Sequence, residues 1–338
     1  MNKSVIFIGF GSIGQRHYAN LFDVSKNIKV KTYIGENKRE IKKRPNNKLS
    51  INNIEVILNK NKLKTELEFL AAGDIVLICN RSSDHSSYLE FVSSNVKKDV
   101  LIVIEKPLST NLFELKKISH IRKNSNIFVI SQFRCSPVFS ELKKIINNKN
   151  YGDLISFSLI NHEAIQNWHP WENFRDSYST QKSFGGGCLL TQIHDLEILY
   201  GLLGLPEKVH FFFGDGNNLN IDVDDYYLAS LVFRNQRDIF GTITSSYYSN
   251  AKPRMHYFTF ENAFISWNLN QDTLNIDYKK DMNLKSFSRN QLFISLARQM
   301  IYLSNELMRN NEPKIQNNFG LISIKDAFIF NEWLLSSI

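Results

Sequence analysis

The N-terminal stretch SVIFIGFGSIG, from Ser4 to Gly14, decides the fold. Its apolar beginning predicts a buried strand, which passes directly into Gly9-Phe10-Gly11-Ser12-Ile13-Gly14, a G-x-G-x-x-G pattern. The first glycine of such a pattern permits a tight turn, the second lets the backbone approach a pyrophosphate, and the third allows a helix to pack closely on the strand. The sequence therefore predicts a dinucleotide-binding turn, with a glycine-rich turn of an unrelated α/β protein as the alternative.

The first 130 or so residues alternate between predicted strands and helices. Because the strands are short, continuous apolar runs, they indicate a parallel sheet covered on both faces. The predicted strands are Ser4 to Gly9, Ile28 to Ile34, Asp74 to Asn80, Val100 to Ile104 and Ile127 to Ser131, and the predicted helices are Ser12 to Val24, Asp84 to Asn95 and Asn111 to Asn124.

Beyond a further helix, Pro137 to Asn148, the apolar pattern changes to alternating, aromatic-rich segments, which are typical of antiparallel strands with one face on helices. These segments are Leu154 to His162, Tyr226 to Phe233, Ile239 to Tyr248 and Met255 to Glu261, and helices are expected at Cys188 to Leu203, Asn290 to Arg309 and Ser323 to Leu335. The fold class is therefore α/β with two domains. A doubly wound Rossmann domain is predicted for residues 1–133, and an α+β domain with an open, mainly antiparallel sheet for residues 134–338.

Composition excludes several classes of protein. Of the 338 residues, 43% are hydrophobic and 22% are charged, the balance of an ordinary globular chain. No apolar run reaches the roughly 18 to 20 residues that a bilayer span needs, so we expect a soluble protein without a membrane partner. The three cysteines, Cys79, Cys135 and Cys188, lack disulfide or metal spacing, which favours the cytoplasm and no metal site.

The formal net charge of +8 is spread along the chain and forms no basic arm. We therefore expect no nucleic-acid partner, and a small molecule that bears a phosphate or another acidic group suits this balance. An acidic residue about 20 positions past the glycine pattern would bind the ribose hydroxyls of NAD, and Glu36 is placed for this. Lys38 and Arg39 follow and could instead meet the extra phosphate of NADP, or be solvated loop residues. NAD is slightly favoured.

Polar residues also follow two later strands of the predicted parallel sheet. Asn80, Arg81 and His85 lie in the turn after one strand, and Glu105-Lys106 directly follows the next. Both turns belong to the carboxyl edge of the sheet, where open α/β sheets bind ligands. We therefore predict that these residues contact the cofactor.

Taken in order, these motifs resemble those of the Gfo/Idh/MocA oxidoreductases, the family of glucose-fructose oxidoreductase and inositol dehydrogenase. The resemblance covers nearly the whole chain. It rests on the glycine pattern, the His85 turn, Glu105-Lys106-Pro107, the segment from Arg134 to Pro137, Tyr151-Gly152-Asp153 and the triple glycine Gly185-Gly186-Gly187 with its helix. Some members belong to sugar-nucleotide and surface-polysaccharide pathways.

The resemblance implies catalytic residues on two segments. The lysine of the E-K-P motif lies beside the nicotinamide in this family, which implies that place for Lys106; a surface lysine is the alternative. The family also carries an aspartate and a histidine on the helix after the triple glycine, and His194 matches the histidine. Thr191 stands where the aspartate is common, so either Asp195 substitutes for it or His194 and Lys106 act without it.

Helical geometry places Thr191, His194 and Asp195 within an arc of about 100° on one polar face. A core histidine, and an aspartate paired with a cation, are the alternative interpretations.

A loop rich in aromatic residues is the candidate substrate contact. Trp171 and Tyr178 could stack on a sugar, and Arg175 could hold a carboxylate or phosphate; Thr191 is added as a polar residue of the pocket. The loop resembles one that approaches the substrate in members that act in glycan pathways. Alternatively, the tryptophans anchor the loop and Arg175 forms a structural salt bridge.

The sequence thus predicts an NAD(P)-dependent oxidoreductase of a sugar or sugar derivative, nucleotide-linked or acidic. NAD-dependent glycoside cleavage is one alternative. A dinucleotide-binding regulator without catalysis is another; Thr191 favours it, whereas Lys106 and His194 oppose it. Because exposed aromatic strands would leave an apolar sheet face, and because family members often associate through that face, a homodimer or homotetramer is expected.

Overall fold

The computed structural model describes residues 3–36, 41, 54–234, 237–278, 281–286, 291–313 and 320–338. These residues divide into two compact units: one within 1–132 and 290–332, the other within 133–289 and 333–338. The first boundary falls beside the predicted one at residue 133. The helices near the C-terminus were predicted in the second domain, but the structure groups most of their residues with the first.

The described strands are β1 (Lys3–Ile8), β2 (Ile28–Tyr33), β3 (Glu55–Ile57), β4 (Ile75–Ile78), β5 (Leu101–Ile104), β6 (Ile127–Ile130), β7 (Leu154–His162), β8 (Lys208–Phe213), β9 (Tyr226–Arg234), β10 (Asp238–Ser246), β11 (Arg254–Phe260), β12 (Phe264–Asn268), β13 (Thr273–Tyr278), β14 (Asp281–Ser286) and β15 (Leu321–Ser323). The described α-helices are α1 (Ser12–Val24), α2 (Lys60–Glu68), α3 (His85–Asn95), α4 (Leu112–Lys117), α5 (Pro137–Asn148), α6 (Cys188–Thr191), α7 (His194–Leu203), α8 (Leu292–Met308) and α9 (Ile324–Ser336).

The first unit is a doubly wound sheet with the strand order β15-β6-β5-β4-β1-β2-β3. All neighbouring strands are parallel except β15, which runs antiparallel to β6. Residues of β4, β5 and β6 are buried throughout, as their continuous apolar runs predict. The strand order reverses at β1, between β4 and β2, so the ligand crevice of such a fold is expected at the carboxyl end of β1.

Residues near the C-terminus complete this first unit. Leu321 of β15 pairs with Ile130 of β6, and the ring of Phe293 on α8 lies 5.5 Å from that of His17 on α1. The Ser304 hydroxyl, also on α8, donates a hydrogen bond to the carbonyl of Gly73. Residues 133–289 of the second unit are therefore inserted between two parts of the first.

The second unit is built on a sheet of eight described strands with the order β14-β13-β12-β11-β7-β10-β9-β8. Only β7 and β10 pair in parallel; every other neighbouring pair is antiparallel. Side chains of β9 alternate between buried and accessible positions, and Phe240 of β10 is 54% exposed on the outer face. The predicted fold class, a Rossmann sheet followed by a mainly antiparallel sheet, is thus confirmed.

Two predicted helices are interrupted in the structure. The helix predicted from Cys188 to Leu203 is two helices, because the backbone leaves the helical region at Gln192, between α6 and α7. The helix predicted from Asn111 to Asn124 is α4 followed by a 3-10 helix at Ile118–Lys123. The interruption at Gln192 weakens the prediction of one polar face, because the residues of α6 and α7 do not follow a single helical repeat.

Candidate active site

In the first unit, the glycine turn lies against the end of β4. Gly9 has a φ of +87°, and a Cβ atom added to it would stand 2.6 Å from Cα of Asn80. A Cβ on Gly14 would stand 2.9 Å from the Gly9 carbonyl oxygen. Both glycines therefore serve the close backbone contacts that the motif predicts.

The N-terminus of α1 follows from this turn. Gly11 caps the helix without a side chain, and the first turn holds no acidic residue. Ser12 and Ile13 are partly exposed there, whereas the ring of Phe10 is buried 5.2 Å from that of Phe7. An anion can thus approach the N–H groups, and Phe10 supports the turn from below.

Asn80 carries the sharpest indication of a ligand in this unit. Both polar atoms of its amide group are buried and lack a hydrogen-bond partner. An unsatisfied buried amide is costly, and a polar ligand beside the Gly9 turn would satisfy it. The cradle and the orphaned amide together fit a dinucleotide.

The turns after β4 and β5 are joined by His85. Its Nδ1 donates a hydrogen bond to the carbonyl of Pro107 at 2.7 Å, which fixes Nε2 as the acceptor nitrogen of the neutral ring. Burial lowers the pKa of His85 and outweighs this bond, so the ring is neutral near pH 7. His85 is thus a buried residue that fixes the backbone directly after Lys106 through the carbonyl of Pro107.

Glu105 anchors the residue predicted to be catalytic. Nε2 of His17 donates to its carboxylate at 2.6 Å, and the Lys106 N–H donates to it at 3.2 Å. Burial acts to raise the pKa of Glu105, but the hydrogen bond from His17 and the charges of His17 and Lys106 bring it below its usual value. An ionised Glu105 therefore fixes the backbone of Lys106, which is partly exposed at the carboxyl edge of the sheet.

The predicted ribose contacts lie further out. Glu36 is exposed beyond β2, and its carboxylate accepts a hydrogen bond from the Lys60 N–H at 3.4 Å. Arg81 is exposed directly before a 3-10 helix at Ser82–Asp84. Lys38 and Arg39 lie outside the described residues, so the structure does not bear on their role.

In the second unit, Thr191 is buried and held from two sides. Its hydroxyl donates to the carbonyl of Gly187 at 2.7 Å and lies 2.5 Å from the hydroxyl of Tyr247. Tyr247 is itself fully buried and donates to the carbonyl of Ser179 at 3.2 Å. Thr191 and Tyr247 thus join the triple-glycine turn to the aromatic loop.

His194 begins α7 and has a carboxylate partner that the sequence analysis missed. Its Nδ1 lies 3.2 Å from Oε2 of Glu197, one helical turn later, and Glu197 is almost fully buried. The ring of Phe133 meets the imidazole edge-on at 5.1 Å. The spacing of i and i+3 in a predicted helix is the signal that could have revealed Glu197.

Asp195 is directed toward the sheet. It is fully buried, and its carboxylate accepts hydrogen bonds from Nε2 of His256 at 2.8 Å and from the amide of Asn161 at 3.0 Å. This arrangement corresponds to the alternative of an aspartate paired with a potential cation. Because α6 and α7 are separate helices, the helical repeat that predicted a common face for Thr191, His194 and Asp195 does not run through Gln192.

The aromatic loop has one anchored and one exposed tryptophan. Trp168 packs edge-on against Tyr247 at 5.5 Å, whereas Trp171 is 44% exposed, beside His169. Arg175 is exposed; its Nε donates to the carbonyl of Leu219 at 3.1 Å, and it forms no salt bridge with a described residue. Tyr178 is partly buried at the start of a 3-10 helix.

The described part of the chain offers neither a metal-binding cluster nor a membrane-spanning helix. Within it, no set of three or more His, Cys, Asp or Glu side chains could hold a metal ion. No helix among the same residues has the length and apolar character to cross a bilayer.

Comparison with known proteins matches both units. Residues 3–133 match the family model described as oxidoreductase family, NAD-binding Rossmann fold, and residues 139–262 match the GFO/IDH/MocA C-terminal domain. A myo-inositol 2-dehydrogenase from Thermotoga maritima is 27% identical over 180 residues, 51% of this chain and 49% of that protein. The chain therefore spans about half the length of this curated relative.

Solved structures share the fold over the whole chain. A levoglucosan dehydrogenase in complex with NADH and L-sorbose has a TM-score of 0.73 at 16% identity and covers 99% of this chain and 97% of its own. An inositol dehydrogenase homologue complexed with NAD+ from Azotobacter vinelandii has a TM-score of 0.79 at 11% identity, covering 100% of this chain and 95% of its own. With both family models in place along the sequence, the chain belongs to the Gfo/Idh/MocA oxidoreductase family.

Proposed function

We propose that this protein is an NAD-dependent dehydrogenase that oxidises a CH–OH group of a polyol or sugar. The observation that carries the proposal is the carboxyl edge of the first sheet, where the glycine turn, the unsatisfied amide of Asn80 and Lys106 follow neighbouring strands. The names of the relatives, an inositol and a levoglucosan dehydrogenase, support the same substrate class.

The proposed mechanism divides the work between two side chains. Nζ of Lys106 donates a hydrogen bond to the reacting oxygen and stabilises the alkoxide charge that develops there. His194 exchanges the hydroxyl proton through Nε2, because Nδ1 faces Glu197. NAD, when bound, supplies the hydride-accepting carbon. Asp195 has no step here, since its carboxylate is committed to His256 and Asn161.

Glu36 is proposed to bind the adenosine ribose, which is the basis for preferring NAD to NADP. Asn80, Arg81 and His85 are proposed to line the cofactor beside the glycine turn. Of these, Asn80 contributes its amide directly, and His85 acts through the carbonyl of Pro107.

A narrower substrate class, a nucleotide-linked or acidic sugar used in glycan synthesis, is proposed from the aromatic loop. Trp171 offers an exposed ring, and Arg175 offers a guanidinium group that also lies over the ring of Phe174 at 4.5 Å. An aromatic face stacks on the C–H surface of a sugar, and a guanidinium binds phosphate or carboxylate.

The first experiment is calorimetric titration of the nucleotide-free protein with NAD, NADH, NADP and NADPH, followed by assays of NADH formation. The assay substrates are myo-inositol, levoglucosan and UDP-N-acetylglucosamine, which represent a polyol, an anhydrosugar and a nucleotide-linked sugar. Micromolar binding of NAD together with NADH formation supports the proposal. Binding of NAD without turnover of any substrate favours the regulator, and absence of nucleotide binding contradicts the dinucleotide site.

Product analysis separates the dehydrogenase from an NAD-dependent glycosidase. A dehydrogenase forms one NADH for each sugar oxidised, whereas the glycosidase would release a glycosidic product and leave the NAD pool unchanged. Release of product without net NADH would overturn the proposed net reaction.

A further inference from the structure

We propose that Glu197 is the positioning residue of His194: its carboxylate holds Nδ1–H of the imidazole, so that Nε2 is the nitrogen that exchanges the substrate proton. The inference deepens the proposed function and rests on it. It makes Glu197, and not Asp195, the carboxylate that acts on His194.

The geometry of the first turn of α7 supports this assignment. His194 is the first residue of the helix, and Glu197 follows at i+3, the spacing at which helical side chains meet. The distance from Nδ1 to Oε2 is 3.2 Å, and the exposed fractions of the two side chains are 14% and 4%. A carboxylate has no proton to donate when ionised, so the contact requires the proton on Nδ1.

Asp195 cannot take the same role, although it is adjacent in sequence. Both of its carboxylate oxygens already accept hydrogen bonds, one from His256 and one from Asn161. Its side chain is fully buried over the sheet. The two carboxylates of this turn therefore have separate partners.

A clamp formed by two residues before α5 restrains the pair. The Phe133 ring contacts the imidazole at 5.1 Å, and Nη2 of Arg134 donates to the backbone carbonyl of Glu197 at 3.3 Å. Gly201 makes room for this arginine, because a Cβ there would stand 2.8 Å from Arg134 Nε. The His194 imidazole contacts both the Phe133 ring and the Glu197 carboxylate, so it has little freedom to rotate. This preserves the orientation needed for proton transfer.

The charges around the pair also favour the assignment. The N-terminus of α7 presents a positive dipole end that stabilises an anion and opposes a protonated imidazole. Glu197 counters that effect on His194 at close range, and Arg134 is the charged group that faces the pair from the neighbouring segment. Removing the carboxylate should therefore make protonation of His194 harder.

The test measures the imidazole directly by nitrogen-15 NMR of the full-length protein. Spectra that correlate ring nitrogens with carbon-bound protons report the tautomer and titration of each histidine, and His194→Gln identifies its signals. The variants are Glu197→Gln, Glu197→Asp as the conservative replacement, and Glu207→Gln as a control at an exposed glutamate on another segment. This measurement does not depend on the substrate.

In the wild type we expect Nδ1 to carry the proton in the neutral ring. In Glu197→Gln the midpoint of the His194 titration should fall by about one to two pH units, since the protonated imidazole loses a hydrogen bond to a charged group. Glu197→Asp should recover part of this change, and Glu207→Gln should leave it unaltered. An Nε2–H tautomer in the wild type, or an unchanged midpoint in a folded Glu197→Gln variant, would overturn the assignment.

A parallel measurement keeps this inference separate from the proposed function. For a substrate that is turned over, the acidic limb of the pH profile of kcat/KM should move to lower pH in Glu197→Gln, with NAD affinity unchanged. If NAD binds but no sugar is oxidised, the proposed function fails while the NMR result still tests the pair. If Asp195→Asn alone moves the His194 titration, the positioning role belongs to Asp195 and not to Glu197.

Discussion

Lys106 lies one residue past an ionised, buried carboxylate, which fixes its backbone and leaves its side chain partly exposed. We expect Lys106→Ala to lower kcat by orders of magnitude, because the alkoxide that develops on the substrate would lose its cationic partner. NAD affinity, measured by calorimetry, should change little. Lys117→Ala, at an exposed lysine on α4, is the control. Near-normal turnover of Lys106→Ala would remove this residue from the mechanism.

Gly9 and Gly35 provide a matched pair of substitutions. Both have positive φ, +87° and +95°, but a Cβ on Gly9 would contact the Asn80 backbone, whereas one on Gly35 meets nothing within 4 Å. Each change to alanine should lose about 1 kcal/mol of stability from backbone strain. Gly9→Ala should lose about 1 to 3 kcal/mol more from overpacking, and NAD affinity with it. Equal losses in chemical denaturation would argue against a tight turn.

Among single residues, the sequence predicted the positions of those that follow a predicted strand directly. The glycines and Lys106 directly follow strands, so their position at the sheet edge was predictable. The directions of Asp195 and Glu197 were not, because they depend on a break at Gln192 and on partners such as His256, 61 residues away. The sequence around Asp195 does not show that its partner is a histidine on a distant strand.

Among the elements, α6 is capped at its N-terminus by the carboxylate of Asp224, which lies outside the helix. The N–H of Leu189 donates to the carboxylate of Asp224 at 2.8 Å, and a Cβ on Gly187 would stand 2.2 Å from that carboxylate. Burial raises the pKa of Asp224 to about 6, and the neighbouring carboxylate of Asp225 acts in the same direction. The ionised acid therefore caps α6 at a cost in desolvation.

This cost predicts a pH dependence of stability. Because the folded state binds the Asp224 proton more tightly than the unfolded state, protonation stabilises the fold, and this contribution is lost as the pH rises through about 6. The loss amounts to no more than about 3 kcal/mol. In Asp224→Asn, urea denaturation between pH 5 and 7.5 should show a weaker fall in stability with pH.

Asp222→Asn, an exposed carboxylate that accepts from the Lys182 N–H, is the control for that experiment. It should retain the pH dependence of the wild type. If Asp224→Asn and the wild type have parallel stability curves, the dependence has another origin.

Elements with strong apolar patterns were predicted to within a few residues. The bounds of α1, α5 and β7 agree with the prediction at both ends. The prediction omitted β3, β8, β15 and the strands from β12 to β14, which are three to six residues long. Several of these carry Lys, Asn, Asp or Ser at alternate positions, which weakens a hydrophobic signal over so few residues.

For the whole molecule, the outer face of the second sheet is the proposed surface for a second copy. Phe240 is 54% exposed and Phe264 is 45% exposed on this sheet. We expect light scattering at micromolar concentration to give a dimer or tetramer, and Phe240→Glu to shift it toward the monomer, since a charge would be buried in the interface. Phe69→Glu, at an 80% exposed ring of the first unit, should have no effect. A monomeric wild type would contradict this assembly.

The division into two domains was predictable up to residue 133, where the apolar pattern changes from continuous to alternating. The membership of α8 and β15 was not predictable, because an amphipathic helix and a three-residue strand fit either sheet. Their partners, α1 and β6, are separated from them by residues 133–289 of the second unit.

That chain path sets an order of events during synthesis. A ribosome that adds about 5 to 20 residues per second releases the nucleotide-binding strands first, but β15 and α8, the partners of β6 and α1, emerge only after residues 133–289. The intervening unit, in contrast, has all eight of its described strands between residues 154 and 286. During synthesis, the sheet of the second unit should therefore form before β15 and α8 join the first unit.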